Sequence, residues 1–568
     1  MRRASRWSTS SPRGTDIATG AQLLVQGLQD AGVRVVFGLP GVHNLAAWEA
    51  LRASPIRLIG VRHEQTAVYA ADGHARATGE IGVALVTTGP GAANTLGATG
   101  EAWASRSPVV VIATDIPAAL RRDGVVGGAL HEPADQRAMF APVTKDTIRL
   151  DRPEALGEIG AACARALAAP RRPVFVEIPT DALSADAGGG HASRIGSLTA
   201  PRAALDLGEA PRRLAAAHRP LVWAGGGALD AGDAVVALAE RLGAPIFTTY
   251  SARGLGGDHP LSVGLPPHVA QAGELWDAAD LLVAVGSDLD GMNTMNWRLR
   301  APPIVAVGID PADATKNYPA AAVVAADAHA GATALAAALP DARAPWADLP
   351  ALRDRARTAV RAEHPAELAF LDAFAAAVPR DAIVVADMCI PGYWLAALHA
   401  PAAPRRFQYP MGWGTLGYAL PAALGAAAAA PGRPVVAVCG DGGILFAVGE
   451  LAALRQEDLP VTIVVFDDGG YGMLRFDQRR AGVEPYGVDL ATPDFAALGQ
   501  AFALRSEAVD GLGGAFAQRL ADHVADPEPT LLHVRLSAAL TPPPTVSPRW
   551  RLGPEIAPAW RAAVTNPG

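Results

Sequence analysis

Short apolar runs, each followed by a glycine-containing turn and a longer stretch with helical spacing, recur in three blocks along the chain. In the first block the runs are Val33–Gly38, Ile56–Val61, Gly82–Thr87, Val109–Ala113 and Val174–Ile178, with helical patterns such as Thr19–Ala31 and Ala92–Ala104 between them. The second block has Leu221–Trp223, Pro245–Thr249, Leu281–Val285 and Ile304–Ile309. The third has Ile383–Ala386, Val435–Cys439, Val461–Phe466 and Leu531–Val534. Continuous apolar runs, rather than strict alternation, mark strands covered on both faces, as in parallel sheets. The pattern predicts an α/β chain of three doubly wound parallel-sheet domains, with ligands beyond the carboxyl ends of the strands. The domains are expected over residues 15–185, 203–330 and 365–540, with a disordered tail over 1–14 and a C-terminal tail over 541–568. Linkers are expected at Ser184–Arg202 and Ala330–Pro350, and Thr541-Pro-Pro-Pro-Thr545 cannot join a sheet interior.

Half of the 568 residues are hydrophobic and 18% are charged, which supplies several cores and is too apolar for a disordered chain. Lys plus Arg number 48 against 56 Asp plus Glu, a net charge of −8 that argues against a nucleic-acid partner. Phe407–Gly432 is uncharged and long enough to span a bilayer, but Pro410, Pro421 and several glycines interrupt it. Its alanines insert weakly, so it reads as a buried loop and helix, and nothing calls for a membrane. Cys163, Cys389 and Cys439 form no CxxC pair and no metal spacing, which fits a reducing compartment and a cytoplasmic location. Met1–Gly14 carries four arginines and five serines or threonines with no acid before Asp16, and is read as a tail rather than a transit peptide.

The third block carries the most chemistry. Val435–Cys439 runs into Gly440-Asp441-Gly442-Gly443 and then a helical pattern, Ile444–Leu454. Glycines at a strand-to-helix turn allow close backbone approach, and the helix start offers N–H groups to an anion. A carboxylate in such a place needs a cation between it and a phosphate, and Mg²⁺ takes one or two carboxylates with phosphate oxygens. Alone, such a turn is common and reads first as an N-capping aspartate. Val461–Phe466, however, ends in Asp467-Asp468-Gly469-Gly470-Tyr471, which puts a second acid-bearing glycine turn beside the first and points to a divalent metal with a diphosphate.

This combination resembles the thiamin diphosphate signature, whose couplet is usually Asn-Asn where this chain has Asp467-Asp468. By that match Asp441, Asp468 and the backbone oxygen of Gly470 are the Mg²⁺ ligands, and Gly440, Gly442, Gly443 and Tyr471 contact the cofactor. In the first block, Gly38-Leu39-Pro40-Gly41, Arg62-His63-Glu64-Gln65 and Thr88-Gly89-Pro90-Gly91-Ala92-Ala93-Asn94 follow in order. They resemble the pyrimidine-binding domain of the acetolactate synthase-like enzymes. The resemblance implies that Glu64 hydrogen-bonds the aminopyrimidine ring and activates it, with Pro40 and Asn94 beside it. Read without it, Glu64 is an acid in a first helical turn, where the macrodipole favours it. Gly254…His259-Pro260 and Ile309-Asp310-Pro311-Ala312 match the family's central domain. Met411-Gly412-Trp413-Gly414-Thr415-Leu416-Gly417 matches its diphosphate-binding domain, where Leu416 would bend the cofactor and the Gly414 carbonyl would accept from its amino group.

Three departures bear on the substrate. Asp387-Met388-Cys389-Ile390-Pro391 stands where acetolactate synthases resemble Asp-Val-Gly-Gln-His, Asp477 stands where they carry a tryptophan, and Gly286-Ser287-Asp288-Leu289-Asp290 lacks the arginine of flavin-binding members. FAD is therefore left open without support. His43 and His131 are candidate proton shuttles or structural histidines, and Arg475 either holds a substrate carboxylate or braces its helix. The resemblance implies decarboxylation of a pyruvate-like 2-oxo acid with carboligation to a second carbonyl. The alternatives are a simple 2-oxo acid decarboxylase for a polar or guanidino side chain, suggested by Asp477 and Leu130-His131-Glu132, and an inactive binding protein. It also implies a homodimer or homotetramer with the site between subunits.

Overall fold

Strands β1 (Val35–Gly38), β2 (Arg57–Gly60), β3 (Gly82–Val86), β4 (Val109–Asp115), β5 (Asp146–Arg149) and β6 (Val174–Pro179) form the first sheet, in the order β2-β1-β3-β4-β6-β5. The second sheet contains β7 (Pro220–Ala224), β8 (Ile246–Thr248), β9 (Leu281–Val285), β10 (Ile304–Gly308) and β11 (Ala322–Ala325), in the order β11-β10-β9-β7-β8. The third contains β12 (Ile383–Ala386), β13 (Phe407–Gln408), β14 (Val435–Gly440), β15 (Val461–Asp467), β16 (Arg505–Asp510) and β17 (Thr530–Arg535), in the order β13-β12-β14-β15-β17-β16. Every strand pair is parallel. The first and third sheets share one strand order, offset by eleven strands. This computed structural model describes residues 18–122, 124–188, 205–537 and 540–543.

The three α/β domains expected from the apolar runs are present. The strands that sequence alone missed are β5, β11, β13 and β16, each at a sheet edge. β5, β11 and β16 are only partly covered, so they lack the continuous apolar run that marks a strand buried on both faces. The linker expected over Ala330–Pro350 does not hold. Helix Ala328–Ala337 buries Gly331, Ala332 and Leu335, and its small side chains let it lie close on the sheet. Helix Leu349–Glu363 then packs Leu349, Leu352 and Ala356 against Trp223 and Trp276, so the middle unit runs well past residue 330. The expected tail over 1–14 and most of Ser184–Arg202 lie outside the described residues, as does the chain after 543. Residues 540–543 lie against the third domain, where Trp394 donates its indole N–H to the Thr541 carbonyl at 2.7 Å.

The uncharged stretch at 407–432 contains β13, a loop and the buried helix Ala419–Ala429. Among the described residues no helix is long and apolar enough to cross a membrane. Instead, Ala419–Ala429 packs against helix Glu64–Thr78 and joins the first and third domains in one core. The contact depends on glycine: a Cβ on Gly73 would stand 2.1 Å from the Ala422 carbonyl oxygen, and one on Gly425 would stand 1.9 Å from that of Ala70. All three cysteines are free thiols.

Candidate active site

Register aligns the ends of β14 and β15, with Gly440 opposite Phe466, so the turns that follow meet. Asp441 is buried; its Oδ1 accepts the Gly442 N–H at 2.8 Å and its Oδ2 accepts the Gly470 N–H at 2.6 Å. Burial, and after it the charges of Asp468 and Asp467, hold the Asp441 carboxyl well above the usual carboxylate range. Asp468 is raised as well, by burial first, while Arg475 opposes the shift. Asp467 lies beside this pair, and its carboxylate also accepts from Gly469 N–H at 3.1 Å and meets His533 Nε2 at 3.0 Å.

A cavity of about 270 Å³ opens over these turns. Gly414, Leu416, Gly440, Asp441, Gly442, Gly443, Asp468, Gly470 and Tyr471 all line it, which brings together nine candidate residues from three separate stretches of chain. Met388, Cys389, Ile390 and Pro391 supply an apolar wall. Asp387, which no motif singles out as a site residue, also lines the cavity. It directly follows β12, next to β14, and its Oδ1 accepts the Tyr418 N–H at 2.9 Å. Its Oδ2 has no hydrogen-bond partner, and burial pushes the group up to about 7. A Cβ on Gly443 would sit 2.9 Å from that oxygen, so the glycine is required by close approach.

The first domain assembles a second group at the ends of β1, β2 and β3. Glu64 opens helix Glu64–Thr78, capped by His63, and its Oε2 accepts from Asn94 Nδ2 at 2.9 Å. Pro40 lies exposed after β1, in a loop that Asn44 ties down through Gly41 N–H and the Leu39 carbonyl. His43 Nδ1 stands 2.8 Å from Thr88 Oγ1, and its ring meets that of His131 edge-on with centroids 5.5 Å apart. Burial, then the charge of His131, lowers the His43 pKa. His131 has a positive φ of 64° and a buried Nδ1 without a partner.

Glu450 is a functional candidate that no spacing rule pointed to. It comes from the third domain and accepts the N–H groups of Arg62 and His63, each at 3.0 Å, just ahead of Glu64. Burial pushes it up to about 7. No first-domain residue lines the cavity over Asp441, so within one chain Glu64 and the acid turns do not share a pocket.

Family models of the thiamine pyrophosphate enzyme match this chain in order: the N-terminal binding domain at residues 18–139, the central domain at 207–335 and the C-terminal binding domain at 389–534. A probable 2-ketoarginine decarboxylase of Pseudomonas aeruginosa is 41% identical over 498 residues, covering 85% of this chain and 88% of that protein. The chain belongs to the acetolactate synthase-like family of thiamin diphosphate-dependent enzymes. A probable acetolactate synthase large subunit of Methanocaldococcus jannaschii is 29% identical over 556 residues, 92% of each chain. The large subunit of acetolactate synthase isozyme 2 of Escherichia coli is 32% identical over 506 residues, 86% of this chain and 90% of that one.

The third-domain cavity fits the diphosphate end of this family's cofactor. Among the described residues no three or more His, Cys, Asp or Glu side chains gather to hold a metal. The residues expected to hold one, two carboxylates and a backbone carbonyl, would suit a Mg²⁺ that keeps diphosphate oxygens among its ligands. A buried acid beside a half-buried one is costly without such a cation. Arg475 takes the bracing role: it donates to the carbonyls of Asp468 at 3.2 Å and Gly469 at 3.0 Å and to Asp489 at 2.9 Å.

FAD fits poorly. A cavity of about 700 Å³ lies where the three domains meet, at the carboxyl ends of the middle strands. All four arginines that line it, Arg76, Arg106, Arg171 and Arg405, are already ion-paired. Lys316 nearby is held by Asp288 and Asp313. This leaves no unpaired guanidinium on the described lining for a flavin's diphosphate.

Proposed function

We propose that this enzyme decarboxylates a 2-oxo acid with a polar or cationic side chain, using thiamin diphosphate and Mg²⁺. The observation that carries the proposal is the pairing of an acid-lined diphosphate cavity with the Glu64–Asn94 group on the domain that matches the family's pyrimidine side. When bound, thiamin diphosphate would supply the electron sink for the charge left as carbon dioxide departs. Asp441, Asp468 and the Gly470 carbonyl would hold Mg²⁺, with the Gly440–Gly443 turn around the phosphates. Leu416 and the Gly414 carbonyl orient the ring end from the same wall, and Glu64 holds a proton at its carboxylate. His43 and His131 move a proton to the product carbon. The apolar wall of Met388, Ile390 and Pro391 excludes water.

Asp477 supports the substrate class. It lies one helical turn beyond Met473, which lines the cavity, and its charge is among those that raise the Tyr393 hydroxyl, behind burial and Cys389. The relative named as a probable 2-ketoarginine decarboxylase favours a guanidino side chain. Carboligation to a second carbonyl is the second reading, and the acetolactate synthase relatives favour it. Within one chain Glu64 and Asn94 do not line the cavity over Asp441, which supports a homodimer or homotetramer that joins the two half-sites across subunits. Exposed apolar side chains border both halves: Val42 and Leu45 near Pro40, and Trp413, Leu445 and Phe446 near the cavity. The free thiols suit a cytoplasmic setting.

Product analysis tests the reading. With 2-oxo-5-guanidinopentanoate the account expects carbon dioxide and the matching aldehyde; acetolactate from pyruvate as the main product supports the second reading, and no carbon dioxide from any 2-oxo acid contradicts both.

A further inference from the structure

The segment from Tyr409 to Leu416 is a strap without regular helix or strand after β13, yet it brings Gly414 and Leu416 to the cavity wall. What fixes it comes from the first domain of the same chain. Glu101, wholly buried on helix Leu96–Ala104, accepts the Gly412 N–H through Oε1 at 3.1 Å and the Trp413 N–H through Oε2 at 2.7 Å. The Ser105 hydroxyl at 2.7 Å and Arg76 Nη2 at 3.1 Å complete its shell. Arg76 in turn donates through Nη1 to the Tyr409 carbonyl at 3.0 Å and through Nε to Asp72 at 3.0 Å. From the other side the Trp413 ring rests on Gly100, where a Cβ would stand 2.4 Å from it.

A buried ionic cluster is a poor source of stability beside an apolar one of equal volume, because removing the charges from water costs about as much as their attraction returns. Its strength is directional. Four donors converge on the two oxygens of Glu101, and two of them are backbone N–H groups of consecutive strap residues, so the carboxylate fixes both position and tilt of the peptide leading to Gly414. We infer that Glu101 is a positioning residue of the cofactor site, which sets Gly414 and Leu416 at their height above the Asp441 turn. The inference rests on the proposed function, since it presumes that the strap meets the ring end of thiamin diphosphate while the acid turns meet its phosphates.

Equilibrium binding with two probes, followed by tryptophan fluorescence, tests this. Thiamin diphosphate with Mg²⁺ must meet both strap and turns; inorganic diphosphate with Mg²⁺ meets the turns alone. Glu101→Gln should weaken thiamin diphosphate about tenfold or more, by displacing the strap, and leave inorganic diphosphate within about twofold. Gly100→Ala should give the same split without removing a charge, by pushing the Trp413 ring away, which keeps the test open if Glu101→Gln does not fold. Ser105→Ala, which touches Glu101 but not the strap, should change neither affinity. Equal losses for both probes, or none, in folded variants would overturn the inference alone. Wild-type protein that binds neither probe would overturn the functional reading, and the inference with it.

Discussion

Asn94 donates its side-chain N–H to Oε2 of Glu64 at 2.9 Å, which fixes the plane of the carboxylate at the head of helix Glu64–Thr78. The other oxygen, Oε1, lies 3.5 Å from where a Cβ on Gly91 would stand, so a glycine there keeps the approach to it open. Glu64→Gln should lower kcat by about 10²- to 10⁴-fold, the usual worth of a positioned acid–base group, with cofactor affinity within about tenfold. Asn94→Ala should cost less, since it frees the carboxylate without removing it. Carbon dioxide release under saturating cofactor measures both; unchanged turnover in Glu64→Gln removes its role.

The acid turns give a metal prediction. Asp441→Ala should weaken Mg²⁺-supported binding of thiamin diphosphate by more than about 100-fold, because a ligand is lost and the Gly470 N–H loses its acceptor. The residual binding should no longer respond to a chelator. Fluorescence titration with and without Mg²⁺ checks this, and an unchanged Mg²⁺ response would place the cation elsewhere.

Much of this site was legible before the fold was known. One acid-bearing glycine turn is ambiguous, but two at neighbouring strand ends point to a cation, and Asp441 and Asp468 are candidates on that ground. The three α/β units were legible for a similar reason: strands buried on both faces must be apolar throughout. Edge strands such as β5 and β16 were not, since half-exposed positions admit any polar residue. Glu450 was invisible because its partners, Arg62 and His63, are 388 and 387 residues away in the chain. Glu101 was hidden likewise, since it meets Gly412 across 311 residues. Arg475 left two roles open on sequence, and only the carbonyls of Asp468 and Gly469 in its reach decided for bracing.

Glu450 yields a pH prediction. Its folded pKa, about 7, lies above the ordinary glutamate value, so its neutral form is favoured by the fold. The contribution is fully present below about pH 4.5 and is lost as pH rises through about 7. Glu450→Gln should therefore gain on the wild type in thermal stability as pH rises from about 4.5 to about 7. Melting temperatures of cofactor-free protein across that range test the sign; a constant difference between the two proteins contradicts it.

Asp477 yields a specificity prediction. Asp477→Asn should raise KM for a guanidino 2-oxo acid about tenfold and leave the constants for pyruvate unchanged, because only the cationic side chain loses a charged partner. The Arg480 side chain, now 2.9 Å from Asp477, must yield to that substrate. Equal effects on both substrates would assign Asp477 to the helix alone.

The central claim is that one working site takes Glu64 from one chain and Asp441 from another. Mixing Glu64→Gln and Asp441→Ala proteins, each inactive alone, and letting subunits exchange tests it directly. In a mixed dimer one site would collect both defects and the other neither, so activity should return to about a quarter of wild type with random pairing. No recovery, with mixed dimers demonstrated by two affinity tags, would contradict the account.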